Sequence, residues 1–296
     1  MKKFFGMAVG CLFAVSCSNE SVETVGHEKS VAPVRVHVSN FSVSMEDFSE
    51  GTTRAAQDVA SFVDVNAVTV AFYDGLTEVA KVTQQKASMP GGATFGELNL
   101  SLPMGSYTMV AVAYKTSDTS GFALTSASEA AYTGAHAFDT FSATQTVNIT
   151  STAAVDISAT LERVASLLKV ISTDGKTANV VNVRMTLSAG GRDFDPGTGL
   201  AISDAGFNNT VGNSVAAGTI SQSLTYFFLA SDEETMDVTI ETLDDGGNTL
   251  FSKKVEGVPF KRNRKTVLTG PMYTNSGVGG AFKVSTEWES DYNVGF

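Results

Sequence analysis

The sequence predicts an all-β protein made of strands joined by turns. Charged residues make up only 17% of the chain, and Thr, Ser, Gly, Val and Ala are frequent, a composition that favours strands. Apolar and polar residues alternate with a period of two in many short segments, and turn residues separate those segments. No ten-residue segment has a convincing helical period. With 296 residues, the simplest architecture is two β-sandwiches in tandem, each of about 130 residues.

Composition also excludes several classes of protein. The net charge is −11, and an acidic surface repels nucleic-acid phosphates, so nucleic acid is not an expected partner. The chain has only two cysteines, Cys11 and Cys17, which rules out a disulfide framework. The hydrophobic share of 43% is sufficient for a large core.

The first seventeen residues have the layout of a bacterial lipoprotein signal. Lys2 and Lys3 precede the apolar run from Phe4 to Val15, which is too short to span a bilayer, and small residues then lead to Cys17. We therefore expect residues 1–16 to be a signal peptide and Cys17 to be lipidated. Residues 17–32 are mostly polar and read as a flexible tether. The alternative is an ordinary signal peptide with a chance cysteine.

A long half-buried strand is predicted from Pro33 to Phe48. Val34, Val36 and Val38 alternate with polar residues, and the alternation continues after a change of phase. The small and polar residues 50–56 then predict an exposed connection.

Further strands of an N-terminal domain, residues 33–160, are predicted at 66–75, 79–83, 95–102, 107–114, 144–149 and 155–161. Residues 115–140 read as a long loop with one helical turn near Ser128 to Ala131. A C-terminal domain, residues 161–296, has predicted strands at 164–172, 180–187, 226–230, 236–242, 249–255, 266–268 and 282–288. Residues 190–223 read as a second long loop.

The residues of an enzyme or a metal centre are not recognisable in this sequence. His27, His37 and His136 have no metal-like spacing, and no nucleophile motif or phosphate loop occurs. The Asp-rich turns at 193–197 and 244–248 could be compared with calcium loops. Neither has the spacing of oxygen ligands that a calcium site requires, and Asp and Asn are frequent in turns for backbone reasons alone. The acidic residues 232–234 are better explained as a solvated loop than as a glycosidase pair. We therefore expect no catalytic residue, metal or cofactor.

A basic cluster stands out at residues 261–265, Lys-Arg-Asn-Arg-Lys, in an otherwise acidic chain. Two interpretations remain open at this point. The cluster either docks an acidic partner or forms a solvated turn at the end of a strand.

Several segments together resemble the fimbrillin family of Bacteroidales, whose members are subunits of lipoprotein-derived (type V) pili. The segments are Cys17 in its lipobox, Thr53–Ala56, Val70–Asp74, Leu102–Tyr107, Leu161–Ala165, Val258–Thr266 and the C-terminal segment with Trp288. Taken in order, these segments cover nearly the whole chain after the signal.

The resemblance implies two transthyretin-like β-sandwich domains and export to the outer membrane as a lipoprotein. It also implies that an arginine-specific protease cuts after the first strand, here between Arg54 and Ala55, and that a strand from a neighbouring subunit refills the vacated groove. Arg54 is the only Lys or Arg between Arg35 and Lys81 and lies among small residues, which suits a protease-accessible loop. The segment Gly280 to Phe296 is the expected donor strand.

The expected function is therefore that of a structural subunit of a surface fimbrium with a role in adhesion. Its partners would be other fimbrial subunits and, before processing, the outer membrane through the lipid on Cys17. Two alternatives stay open: an anchor subunit that retains its lipid, or a lipid-anchored module that binds glycans.

Overall fold

Strands form almost all of the regular structure, so the prediction of an all-β protein is confirmed. The structure, a computed structural model, describes residues 30–42, 56–58, 64–117, 121–274 and 282–285. Within these ranges the helical content is a single 3-10 turn, Lys86–Ser88, and there is no α-helix. The described part of the chain therefore offers no helix with the length and apolarity needed to cross a membrane.

The described residues form nineteen strands, ten of them in the first half of the chain. These ten are β1 (Val31–Ser42), β2 (Ala56–Asp58), β3 (Ala67–Asp74), β4 (Thr77–Gln85), β5 (Glu97–Pro103), β6 (Gly105–Tyr114), β7 (Phe122–Ser126), β8 (Glu129–Tyr132), β9 (Thr140–Ile149) and β10 (Val155–Arg163). The second half contains β11 (Ser166–Ser172), β12 (Asn182–Leu187), β13 (Asp193–Phe194), β14 (Phe207–Gly212), β15 (Gln222–Phe227), β16 (Glu233–Leu243), β17 (Thr249–Lys261), β18 (Lys265–Gly270) and β19 (Lys283–Ser285).

The first half is an eight-stranded sheet that forms two layers around one core. One layer has the order β4-β3-β6-β9, and the other contains β10, β1, β2 and β5. The layers are joined where Glu162 and Arg163 of β10 pair with Ser142 and Phe141 of β9. Inward side chains from both layers form a single buried cluster, because alternate residues of each strand point to the same face.

The second half contains two four-stranded sheets with the orders β15-β11-β18-β19 and β14-β12-β16-β17. Their inward side chains form a second buried cluster. Both halves repeat one arrangement. The first strand of each half, β1 or β11, lies between a parallel neighbour (β10 or β18) and an antiparallel neighbour (β5 or β15).

The two halves share a third cluster and a small sheet. β13 of the second half pairs with β8 of the first in the order β13-β8-β7. The β7–β8 hairpin contributes to the apolar cluster on the outer face of β6, where Val110, Val112 and Tyr114 are buried. This explains why β6 is apolar at successive positions rather than at alternate ones.

A buried ion pair lies at the end of the first half, where the chain passes from β10 to β11. Arg163 donates from Nε and Nη2 to the two carboxylate oxygens of Asp139 at 2.9 and 3.0 Å, and both side chains are at most 4% exposed. The Arg163 guanidinium also lies over the ring of Phe141, 4.9 Å from its centroid. The predicted boundary near residue 160 falls inside β10, three residues before this pair.

Two of the predicted loops contain strands. The stretch 115–140 holds the β7–β8 hairpin, so the helical turn predicted near Ser128 to Ala131 is wrong. The stretch 190–223 holds β13 and β14 as well as the start of β15. These strands are short and rich in small or polar residues, and they form because neighbouring strands are already in place to pair with them.

Candidate functional site

The strand β1 lies in the interior of its layer, with a paired strand on each side. Residues from Val34 to Ser42 pair in parallel with Val155 to Glu162 of β10. Residues from Val31 to His37 pair antiparallel with Pro103 to Glu97 of β5. The slot that β1 fills is therefore bounded by the backbone edges of β5 and β10.

From Ala32 to Val38 the inward face of β1 is apolar. Ala32, Val34, Val36 and Val38 are each at most 2% exposed and belong to the first core cluster. Val36 lies opposite Leu98 of β5 and Ile157 of β10. β1 therefore supplies a row of core side chains in addition to its backbone hydrogen bonds.

Arg35 and His37, on the outward face of β1, make weak polar contacts. Arg35 donates from Nε to Asn99 Oδ1 at 3.3 Å. His37 lies 3.7 Å from a carboxylate oxygen of Glu97 and 3.9 Å from one of Asp156, and these two carboxylates are 47% and 71% exposed. Exposed pairs of this kind contribute little. Backbone hydrogen bonds and the apolar face therefore hold β1 in place.

The register of β1 shifts once, by a bulge between Val38 and Asn40 where it pairs with β10. A bulge inserts one residue and reverses the alternation of faces beyond it. This is the position at which the sequence pattern changes phase, so the predicted change has a structural cause.

The chain that follows β1 returns to the same strand. Ser42, at the end of β1, pairs with Ala56 at the start of β2. Residues 43–55 lie outside the described residues, and so do the predicted cleavage site, Arg54–Ala55, and the predicted lipidation site, Cys17. A cut after Arg54 would separate β1 from β2 and from all the strands that follow.

The predicted donor segment, Gly280 to Phe296, is described only at residues 282–285. There β19 pairs antiparallel with Val267–Thr269 of β18. The Phe282 side chain is 9% exposed. Its ring comes within 2.7 Å of the position that a Cβ atom on Gly270 would occupy. Gly270 therefore makes room for the Phe282 ring.

The carboxylate of Asp174 fixes the chain just after β18. It accepts hydrogen bonds from the backbone N–H groups of Met272, Tyr273 and Thr274 at 2.8, 3.0 and 2.9 Å, and from the Thr274 hydroxyl at 2.9 Å. Burial raises the pKa of Asp174, but these hydrogen bonds outweigh burial, and the net pKa is lowered. Residues 272–274 are thus held in position where the C-terminal segment leaves the second half.

The sequence-predicted polar candidates do not come together as a reactive site. His37 is in β1, and His136 Nδ1 is hydrogen-bonded to Asn209 Oδ1, while His27 is outside the described residues. Across the described ranges there is no group of three His, Cys, Asp or Glu side chains placed to hold a metal ion.

The two Asp-rich turns use their carboxylates locally. Asp195 Oδ1 accepts a hydrogen bond from the backbone N–H of Gly197 at 2.7 Å, and Asp244 Oδ1 accepts one from that of Asn248 at 2.8 Å. The first contact is an Asx-type bond, and the second closes a longer turn of the same chain segment.

The basic cluster forms the turn between β17 and β18. Asn263 has φ of 57°, a left-handed conformation that asparagine tolerates better than most residues. Arg262 Nε lies 2.7 Å from Asp232 and Lys261 Nζ lies 2.9 Å from Glu233. Two cations of the cluster therefore pair with the acidic loop at 232–234, which favours the strand-end turn over the docking site.

A cleft of about 370 Å³ opens where the halves meet, and Arg192 lines it beside Phe207 of β14. Arg192 donates from Nη1 to the carbonyl oxygens of Gly134 and Ala135 at 2.8 and 2.9 Å, so this atom is engaged in holding the neighbouring loop. The large apolar side chains that the described residues expose are aliphatic or Met, and none is aromatic. Phe207, the aromatic residue among those that line the cleft, is half-buried, so the cleft lacks the group of exposed aromatic side chains expected of a glycan platform.

Comparison with solved structures gives the same overall fold. A candidate adhesin from Bacteroides ovatus is 11% identical, with 86% of this chain and 96% of that chain covered and a TM-score of 0.52. The fimbrial anchor protein Mfa2 from Porphyromonas gingivalis is 10% identical, with 87% of this chain and 99% of that chain covered and a TM-score of 0.50. At such identities the likeness shows the fold alone. No curated protein matches the sequence.

One family model matches, and it does so over residues 32–294, from the start of β1 to the C-terminal segment. This range contains both halves and the slot that β1 fills. The chain therefore belongs to DUF6562, a family of unknown function.

Proposed function

We propose that this chain is a structural subunit of a surface fimbrium or adhesive fibre, that it is assembled by strand exchange, and that it is not an enzyme. The observation that carries the proposal is the position of β1. It is the first described strand, it contributes a row of buried core residues, and it lies between β5 and β10. A single cut in the segment that follows it would free it from the rest of the fold.

The physical argument begins with what the loss of β1 would expose. The backbone edges of β5 and β10 would lose their partner, and Leu98, Leu102 and Ile157 would lose the apolar face that packs on them. An open edge is a template for another strand. A replacement strand gains main-chain hydrogen bonds and places alternate side chains in the vacated pockets. A contact of this kind is heterologous and propagates as an open fibre.

Two further features support a surface role. The fold is shared with a protein described as a candidate adhesin and with a fimbrial anchor protein. The N-terminal sequence has a lipobox-like cysteine, Cys17. On this proposal the precursor reaches the outer membrane with lipid on Cys17, an arginine-specific protease cuts between Arg54 and Ala55, and other fimbrial subunits are the partners. The repeated arrangement of strands then represents two transthyretin-like domains, at 33–160 and 161–296.

A second candidate is an anchor subunit that keeps its lipid and its own β1. The similarity in fold to Mfa2, a fimbrial anchor protein, favours it. In that case the slot stays filled, Arg54 is not cut, and the chain links a fibre to the outer membrane.

The mass of the mature surface form separates the two candidates. A processed subunit begins at Ala55 and lacks lipid, whereas an anchor begins at a lipidated Cys17. For a processed subunit, Arg54→Ala blocks the cut and fibre formation, while Arg35→Ala, at an exposed position in β1, leaves processing intact. A wild-type surface form that retains residues 17–54 within isolated fibres would overturn the subunit proposal.

Strand exchange has its own assay. After the purified chain is cut at Arg54, a labelled peptide with the sequence of residues 31–42 should enter the slot and remain bound through gel filtration. A control peptide with Val34→Asp and Val36→Asp should not bind, because both side chains point into the core. Equal retention of both peptides would contradict exchange at this slot.

A further inference from the structure

The end of the first half at which β1 begins, the N-terminal pole, carries three exposed apolar side chains. Val31 pairs with Pro103, so Met104, the next residue after Pro103, lies beside the start of β1. Leu76 is in the turn between β3 and β4, and Tyr73 near that turn pairs with Thr108 near the start of β6. Strand register therefore places these three residues at the same end of the sandwich.

Their exposure is high for apolar residues. Val31 is 49% exposed, Met104 53% and Leu76 93%. The connections at this pole, residues 75–76, 104 and 150–154, contain no charged residue. The turn between β16 and β17 in the second half, by contrast, contains Asp244 and Asp245. Asp74 and Glu78 are exposed in the strands on either side of Leu76, so the apolar surface is confined to the tips of the turns. Several apolar tips at one end are a feature of a surface that leaves bulk water.

Local structure holds Met104 outward. β5 ends at Pro103 and β6 begins at Gly105, so a single residue crosses from one layer to the other. The Tyr107 hydroxyl donates to the Pro103 carbonyl oxygen at 2.9 Å. A Cβ atom on Gly105 would come within 2.7 Å of that hydroxyl. The Tyr107 side chain therefore packs against the base of the turn, and Met104 is left at its apex.

We propose that the N-terminal pole faces the lipid bilayer and that Leu76 and Met104 contact the headgroup region. The inference rests on the proposed lipidation of Cys17 and concerns the form that still carries its lipid. The chain from Cys17 reaches the fold at Val31, which lies at this pole. The connection has fourteen Cα–Cα steps and spans at most about 50 Å when extended. It therefore tethers this pole to the membrane, and apolar tips there need only weak contacts to lie in the interface.

The same geometry places the processing segment on the far side. β1 runs from this pole to Ser42, where residues 43–55 begin. A twelve-residue strand is about 36–40 Å long. With the N-terminal pole on the bilayer, the segment that contains Arg54 begins that far from the membrane surface, on the side open to a soluble protease.

The test uses the full lipidated protein in vesicles of phosphatidylethanolamine and phosphatidylglycerol. Leu76→Cys gives the mature chain one free thiol, because Cys17 is blocked and Cys11 leaves with the signal. An environment-sensitive dye at position 76 should shift to the blue on reconstitution and lose fluorescence when brominated lipid is included. The matched control is Ile220→Cys, also an exposed apolar position at 61% but in the second half, where neither change should occur.

The outcomes separate this inference from the proposal on which it rests. Equal responses at positions 76 and 220, in protein that floats with the vesicles and has a lipidated Cys17 by mass, would overturn the membrane-facing pole and leave the lipoprotein proposal standing. Protein without lipid on Cys17 would overturn the lipoprotein proposal itself. A Met104→Cys label repeats the test at the second tip and should respond like position 76.

Discussion

Replacing Val36 with alanine tests how strongly the slot depends on β1. Val36 is 0% exposed and lies between Leu98 and Ile157 on the neighbouring strands. The substitution removes two methyl groups from the core and leaves every backbone hydrogen bond of β1 in place. It therefore measures the contribution of apolar packing to the stability of β1 separately from that of the main-chain hydrogen bonds.

The magnitude follows from burial. Removal of the two groups costs about 0.8 kcal/mol each in transfer free energy, or roughly 1.6 kcal/mol together. The cavity left between two rigid neighbouring strands adds about 1 kcal/mol. We expect a total loss of about 2–3 kcal/mol, which is a factor of roughly 30–150 in the equilibrium for opening, since 1.4 kcal/mol is tenfold.

Amide hydrogen exchange is the appropriate assay because it reports the opening of each strand. Exchange of residues 98–102 in β5 and 157–161 in β10 should accelerate by that factor, while β16 in the second half should change much less. The control is Val31→Ala in the same strand, where the side chain is 49% exposed and the expected change is within about 0.5 kcal/mol. Similar acceleration of exchange by both substitutions would refute the view that the buried side chains of β1 hold it in the slot.

Three other substitutions test features outside the slot, at the end of the first half and in the second half. Asp139→Asn should destabilise the fold by about 3–5 kcal/mol, because it leaves the buried Arg163 without its charged partner. The double substitution Asp139→Leu with Arg163→Met should recover much of this loss. Urea unfolding followed by circular dichroism measures the stability of both variants. Asp174 has a lowered pKa, so its contribution to stability is present above its unfolded-state pKa and is lost as pH falls through the folded value. The protection factors of residues 272–274, corrected for the intrinsic pH dependence of exchange, should therefore fall in acid. Asp174→Asn should lower them at neutral pH and remove that acid dependence, and an unchanged acid response in this variant would contradict the role of the carboxylate. Gly270→Val should displace the Phe282 ring and make residues 282–285 accessible to chymotrypsin, while Gly212→Val, where a Cβ atom meets nothing within 4 Å, is the control and should leave them protected.

Alternation of side chains made the central strands predictable from sequence. Val34, Val36 and Val38 predict the inward face of β1, and the phase change that follows marks the bulge. The pattern is informative because one face of β1 is buried and the other is partly solvated. The polarity of each residue therefore indicates the face on which it lies. Strands with polar residues at buried positions gave no such signal, and β14 is the example. Its Asn209 is only 4% exposed, yet it is a polar residue whose Nδ2 bonds to Thr225.

Contacts between residues far apart in the chain were beyond sequence reasoning. Asp174 reads as an ordinary turn residue, but its partners are about a hundred positions away at 272–274. The basic turn at 261–265 and the acidic loop at 232–234 were recognised separately, and only the structure shows Arg262 and Asp232 as a pair. The position of β1 between β5 and β10 is likewise set by the order of strands in the sheet, and the alternation of residues does not predict that order.

The parallel pairing of β1 with β10 has a consequence for the shape of any fibre. A strand that takes over the hydrogen bonds of β1 has to run in the same direction, because an antiparallel strand would meet a different spacing of donors and acceptors along β10. Successive subunits joined in this way would all point one way. The fibre would be polar, with an empty slot at one end and an unused strand at the other, and growth by exchange would continue only where those two unlike ends meet.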